Sequence, residues 1–195
     1  MIDLLAPPDP MTTRQKRALV AATLITAVTR VWGLARSPWG WDEILCSLAL
    51  RHYDVALHHP HPPGFPLFIA AAKLFTLLGV AGFRALEAVN LAAGVLLVPA
   101  MVFVCRELRL GFRTSFIAAV LLAFFPNVWF FGETGFSDVP SVVLVVFACG
   151  LLLRGCRSDS AFVGGAIALA CAGAMRPQTL LIGCPPAMIG AWFAL

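Results

Sequence analysis

Charge is what this sequence has least of. Of its 195 residues only 12% are Asp, Glu, Lys or Arg, where an ordinary soluble domain carries about a quarter. The basic residues form no single patch, so the net charge of +4 is not the footprint of a nucleic-acid-binding protein. The six cysteines, Cys46, Cys105, Cys149, Cys156, Cys171 and Cys184, include no CxxC pair and mostly lie in or beside apolar segments. That pattern fits small buried hydrophobes better than a metal or redox centre. Repeats of solenoid length and low-complexity tracts are absent. A cleavable signal peptide is not evident either: residues 1–10 are acidic and proline-rich, and the first apolar run is long enough to be a retained helix.

What the chain has instead is apolar residues, 60% of the total. They gather into runs of about the 17–20 residues that a helix needs to cross hydrocarbon. These runs predict an all-α fold: a polytopic transmembrane helical bundle with a long first outer loop carrying interfacial helices. Spanning helices are expected at about 18–35, 85–105, 114–132, 139–153, 160–175 and 177–195, behind a disordered cytoplasmic tail at 1–13. A further apolar stretch at 64–82 is interrupted by Lys73. Arg14, Lys16 and Arg17 precede the first run, Arg106, Arg109 and Arg113 crowd one connection, and Arg154 and Arg157 another. The positive-inside rule puts all three groups in the cytoplasm only if 64–82 does not span. The N-terminus is then cytoplasmic and residues 36–84 form one outer loop, with helices expected at about 42–58 and 64–82. The last run is apolar to its final residue, so the chain reads as the front part of a longer protein.

The outer side collects the ionisable groups. Asp42 and Glu43 follow Trp39-Gly40-Trp41, and His52, His58, His59 and His61 lie within ten residues of one another. Between His58 and Pro66 four prolines forbid a continuous helix and make a stiff connector. Glu133 and Asp138 fall in the short second outer loop, and Arg176 opens the third. Ionisable groups are costly at a membrane boundary unless paired or functional.

Trp41-Asp42-Glu43, His61-Pro62-Pro63, Phe124-Phe125-Pro126, Ser137-Asp138-Val139-Pro140 and Arg176-Pro177-Gln178 occur in this order. In these motifs, and over about residues 15–180, the chain resembles the N-terminal part of the GT-C superfamily of polytopic membrane glycosyltransferases. The closest resemblance is to bacterial relatives of dolichyl-phosphate-mannose protein mannosyltransferases and lipid A aminoarabinose transferases. The resemblance implies residence in the cell (inner) membrane and transfer of a sugar from a polyprenyl-phosphate carrier to a lipid, glycan or protein acceptor on the extracytoplasmic face. It further implies catalytic roles for Asp42, with Glu43 beside it, and for Asp138. Asp42 would be the general base on the acceptor hydroxyl, or a contact to the leaving phosphate through a metal. His61, Arg176 and Arg84 would bind substrate or the lipid phosphate. Such chemistry needs a carboxylate to take a proton and positive charge to stabilise the departing phosphate. A divalent metal on Asp42, His59, His61 or Asp138 stays open, because Pro60 stands where some relatives carry an acidic ligand.

Each residue also has a plainer role available. Asp42 and Glu43 could serve a helix start, and Asp138 could cap a helix beside Pro140. Arg84 and Arg176 could be interfacial anchors, the histidines solvated loop residues, Glu133 a solvated carboxylate, and Trp39 and Trp41 aromatic-belt anchors. The rival functions are a transporter, an assembly partner or an inactive fragment of the family. A transporter places ionisable residues at mid-bilayer on broken helices, whereas here the helix centres are almost free of charge.

Overall fold

The computed structural model describes residues 4–194, and among them the chain is an all-α membrane protein of nine α-helices with no strand. In chain order they are α1 Thr13–Gly33, α2 Trp41–Ala49, α3 Pro66–Leu77, α4 Phe83–Glu107, α5 Phe112–Ala123, α6 Pro126–Phe131, α7 Asp138–Gly155, α8 Asp159–Met175 and α9 Thr179–Ala194. Local chemistry sets many of these ends. Thr12 and Gln15 form a reciprocal cap at the start of α1. The Ser158 hydroxyl accepts from Ala161 N at the start of α8. Arg106 and Arg154 occupy the last turns of α4 and α7, where a cation complements the helix dipole.

α4 and α7 form the centre. α7 packs on α4, α8 and α9, while α1, α3 and α5 pack on α4. Leu97, Val139 and Val143 fill the middle of the α4–α7 contact. Phe68, Ile69, Leu86 and Met175 join α3 and α8 to the upper part of α4. Many large apolar side chains nonetheless face outward, among them Leu24, Val28, Trp32, Leu121, Ile167 and Trp192. A water-soluble monomer rarely leaves so much apolar surface open. α4 and α7 are by themselves long and apolar enough to cross a membrane, and α5, α8 and α9 are shorter apolar helices.

Several helix boundaries differ from the sequence expectation. The run at 114–132 is not one helix: α5 stops at Ala123 and α6 begins at Pro126. Pro126 disfavours helical backbone at Phe125 and is itself suited to a first helical turn. The amphipathic helix expected over 42–58 ends at Ala49. Beyond it the Asp54 carboxylate accepts from Ala56 N, and Asp54 exchanges two backbone bonds with His59, which turns the chain instead. The 64–82 segment shortens to α3, whose 12 residues are about 18 Å long. Residues 4–12, expected as a free tail, lie against the base of the bundle. Arg106 donates to the Asp9 carbonyl, Arg109 to the Pro7 carbonyl and Arg157 to the Leu4 carbonyl.

Those arginines mark a basic end of the molecule. At its heart Glu107 is fully buried and takes Arg154 on one oxygen, at 2.8 Å, and Arg157 on the other. Removing one partner of a buried ion pair strands the rest without compensation. Glu107→Ala is therefore expected to cost about 3 kcal/mol, the low end for such a loss because Arg154 reaches solvent. The check is the melting temperature in detergent, which should fall well below that of the unaltered protein.

Candidate functional site

At the opposite end, α2, the proline-rich connector, the 132–137 loop and the start of the α8–α9 connection converge. Asp42 lies in the first turn of α2, Asp138 in the first turn of α7 and Arg176 at the end of α8. His61 is delivered by the connector. The single tyrosine holds that segment, its hydroxyl donating to the Gly64 carbonyl at 3.1 Å. Asp42, Cys46, His61, Phe65, Phe136, Ser137, Asp138 and Arg176 line one small pocket of about 10 Å³, space for about one water. Four of the sequence-derived candidates, from segments up to 134 residues apart, thus share one wall (Asp42 to Arg176).

The pairing inside the pocket is specific. The Arg176 guanidinium donates to an Asp138 oxygen and lies 5.9 Å from the centre of the Phe65 ring. His61 Nδ1 stands 3.7 Å from an Asp42 oxygen, and its ring meets Phe65 edge-on at 5.1 Å. That His61 nitrogen and Arg176 Nε are buried and have no hydrogen-bond partner. Asp42 is about half exposed, with 51% of its side chain open, and Asp138 is 38% open. Cys46 beneath them is inert, since burial, then Asp42 and Glu43, push its thiol up to about 12.

The other candidates lie elsewhere. Glu43 is fully buried and its carboxylate accepts from Trp39 N at 2.6 Å, Gly40 N at 2.7 Å and, across the chain, Gly135 N. It joins the loop bearing Asp42 to the loop preceding Asp138. A side chain at Gly135 would meet the Phe83 ring at 2.8 Å, so only glycine lets this loop come so close. Two more bonds fix the same loop: Ala35 N donates to the Glu133 carbonyl, and Asn90 Nδ2 donates to the Phe136 carbonyl at 2.7 Å. Arg84 does not line the pocket. It donates to the Ala35 carbonyl at 2.7 Å and to Glu87 at 2.6 Å, tethering the exit from α1. His52 pairs at 3.8 Å with Asp54, and His58 is exposed on the connector.

Metal binding fits these residues poorly. Among the described residues no three His, Cys, Asp or Glu side chains come together as a metal site. Asp138 is engaged by Arg176, and His59 is not part of the pocket wall. Asp42 and His61 alone do not make a resident site, so no step below runs through a metal.

One residue of this region has no counterpart among the sequence candidates. Arg30, in the last turn of α1, is fully buried and donates to the Ala123 carbonyl at 2.9 Å and to the Val128 and Trp129 carbonyls at 3.4 Å. It satisfies the open Ala123 carbonyl at the end of α5 and adds a second donor to the Val128 and Trp129 carbonyls of α6, which also accept from Gly132 N. An added Cβ at Gly94 or Gly132 would collide with its guanidinium, so both glycines are needed to admit it. Its only sequence signal is an arginine within an apolar run, which does not reveal the partner.

No protein-family model matches the chain, and no solved structure matches it significantly. Among curated proteins it is similar to the Dol-P-Glc:Glc(2)Man(9)GlcNAc(2)-PP-Dol alpha-1,2-glucosyltransferase of Yarrowia lipolytica. The two are 33% identical over 98 residues, which cover 47% of this chain and 19% of the relative. The chain thus matches about a fifth of the length of that protein.

Glu133, beside Arg30 in the loop that leads to Asp138, is nearly buried. Burial pushes its carboxyl up to about 7 from 4.5, and Arg30 opposes the shift only in part. A folded-state value above the unfolded one stabilises the fold below the unfolded value, and that stabilisation is lost as pH rises through the folded value. The melting temperature should therefore decline as pH rises from 4.5 to about 7. Thermal scans across that range should show a shallower decline in Glu133→Gln, which has nothing to titrate.

Proposed function

We propose that this chain carries the first catalytic loops of a membrane glycosyltransferase that moves a sugar from a polyprenyl-phosphate donor to an acceptor at the extracytoplasmic face. The observation that carries the proposal is the pocket itself, where Asp42, His61, Asp138 and Arg176 meet at the end of the bundle opposite the basic cluster. With that cluster in the cytoplasm by the positive-inside rule, the pocket opens on the outer side. The similarity to a dolichol-linked glucosyltransferase supports a lipid-linked sugar donor.

The chemistry follows from the pairing. The acceptor oxygen forms a bond to the anomeric carbon while the bond from that carbon to the phosphate oxygen breaks. The acceptor proton passes to Asp42, which has no arginine partner and stays open to solvent. Negative charge leaves with the lipid phosphate, and the Arg176 guanidinium stabilises it. Asp138 orients Arg176 by holding one edge of the fork. His61 stands beside Asp42, where a protonated ring would hold the carboxylate in place and a neutral one could receive its proton. Glu43 and Arg84 act on position rather than on substrate.

Purified protein, or membranes containing it, supplied with polyprenyl-phosphate sugars is the direct assay. Asp42→Asn is expected to lower the transfer rate about 10²–10⁴-fold, the range for loss of a general base, with the melting temperature nearly unchanged. Full transfer by this variant would remove Asp42 from the role of base. Arg176→Lys keeps the charge but loses the planar fork, and should lower kcat for transfer as well as raise KM for the donor, since the charge that builds on the leaving phosphate is met less well.

A further inference from the structure

A second concavity lies far from the pocket, on the outward face between α4 and α7. It is lined by Leu96, Pro99, Phe103, Val143, Leu144 and Phe147, with Ala100 at its floor, and is almost wholly apolar. Its volume is about 530 Å³. Both helices run toward the basic end, and the groove follows them from mid-depth to Phe103, one turn before Glu107. Small or ring-shaped residues shape it: Pro99 lies inside α4, and Gly150 leaves room for the Phe103 ring, which an added Cβ would strike at 2.4 Å.

The mouth of the groove is charged. Arg154 lies over the Phe103 ring with its guanidinium carbon 4.6 Å from the ring centre. Two of its nitrogens, Nε and Nη2, are given to Glu107, and Nη1 takes part in neither bond. The side chain is 43% exposed. Glu107 is already shared with Arg157, so the group carries a surplus of positive charge. Arg106 sits in the same last turn of α4.

We propose that this groove holds one acyl chain of an anionic phospholipid from the leaflet at the basic end, with the headgroup phosphate against Arg154. Charge complementarity selects this occupant. A neutral apolar partner would fill the groove but offer nothing to Arg154 Nη1 or to the positive charge left over after Glu107. A phosphodiester answers it directly, because guanidinium and phosphate oxygens form paired charge-assisted hydrogen bonds. Basic pockets between helices on the cytoplasmic side have the right chemistry for anionic headgroups. The site is separate from the sugar-transfer pocket, and its failure would leave that proposal untouched.

The test uses the full protein, purified in mild detergent, stripped of lipid and given phosphatidylglycerol or phosphatidylcholine of matched acyl chains. Native mass spectrometry then reads the fraction of protein that retains one lipid. Phosphatidylglycerol should be retained about fivefold more strongly, the scale of one basic residue at an anionic surface. Arg154→Gln should remove that preference, with Arg157 still holding Glu107. Leu96→Trp, which alters only an exposed side chain at the groove wall, should weaken retention of both lipids. Equal retention of the two lipids by the unaltered protein would overturn the proposal. So would unchanged retention in Leu96→Trp, since the lipid would then lie elsewhere or another protein segment would fill the groove.

Discussion

The site depends on a carboxylate that carries no counter-ion. Glu43 is fully buried and satisfied by backbone N–H groups alone, two from its own loop and one from Gly135. Burying a carboxylate away from water is expensive unless its oxygens are bonded, and three N–H donors at a helix start provide those bonds. The arrangement fixes distance in a way that an ion pair of long side chains would not. Trp39 and Gly40 lead into Asp42, and Gly135 stands three residues before Asp138. The two exposed carboxylates are therefore set against each other by a third that is closed to solvent and grips the pocket wall from behind through Gly135. Asn90 and Ala35 fasten the same loop from α4 and from the end of α1, so its position is determined three times over.

Arginine does the corresponding work where backbone is left open. The α5–α6 break exposes the Ala123 carbonyl, which a continuous helix would have consumed, and Arg30 supplies a donor to it from α1. Proline at 126 and arginine at 30 are thus two parts of one device, though 96 residues separate them. At the other end Arg106, Arg109 and Arg157 reach backbone carbonyls of residues 4–9, while Arg154 and Arg157 share Glu107. The few charges in the chain are concentrated where helices end, and there most of them are spent on other parts of the protein.

How much of this could be read from the sequence depends on the range of the interaction. Uncharged runs and helix-end arginines are local, and they locate α4, α7 and α8 to within two residues at either end. Pro126 was equally visible, yet the apolar run continued across it and masked the break. The early end of α2 had a weaker signal, because residues 50–58 keep an amphipathic pattern while Asp54 and Tyr53 turn the chain with side-chain bonds. Topology puts Asp42, His61, Asp138 and Arg176 on one side, and the fold gathers them around one pocket. The sequence could not separate Glu43 from its neighbour Asp42, or Arg84 from Arg176. Each pair matches in chemical type, and only the tertiary partners differ: Glu43 is taken up by backbone N–H groups, and Arg84 by the Ala35 carbonyl and Glu87. Arg30 was hidden for the same reason, since its acceptors are carbonyls, which every residue has.

Pairing also divides the labour between the two carboxylates of the proposed reaction. Asp138 is engaged by the Arg176 guanidinium through a charge-assisted bond, and Asp42 is not. Asp42 stands 3.7 Å from the His61 ring, too far for a hydrogen bond, and about half of its side chain is open to an incoming acceptor. The same contrast governs the cations. Arg176 keeps a buried Nε without a partner even while paired, which leaves it a donor to offer a phosphate. Proton acceptor and phosphate donor then stand on different segments of the pocket wall, α2 and the end of α8, as a reaction that separates an acceptor hydroxyl from a leaving phosphate requires. Glu43 ties the Asp42 loop to the loop before Asp138, which in turn pairs Arg176, so the geometry of the proposed transfer rests on a residue outside the substrate's reach.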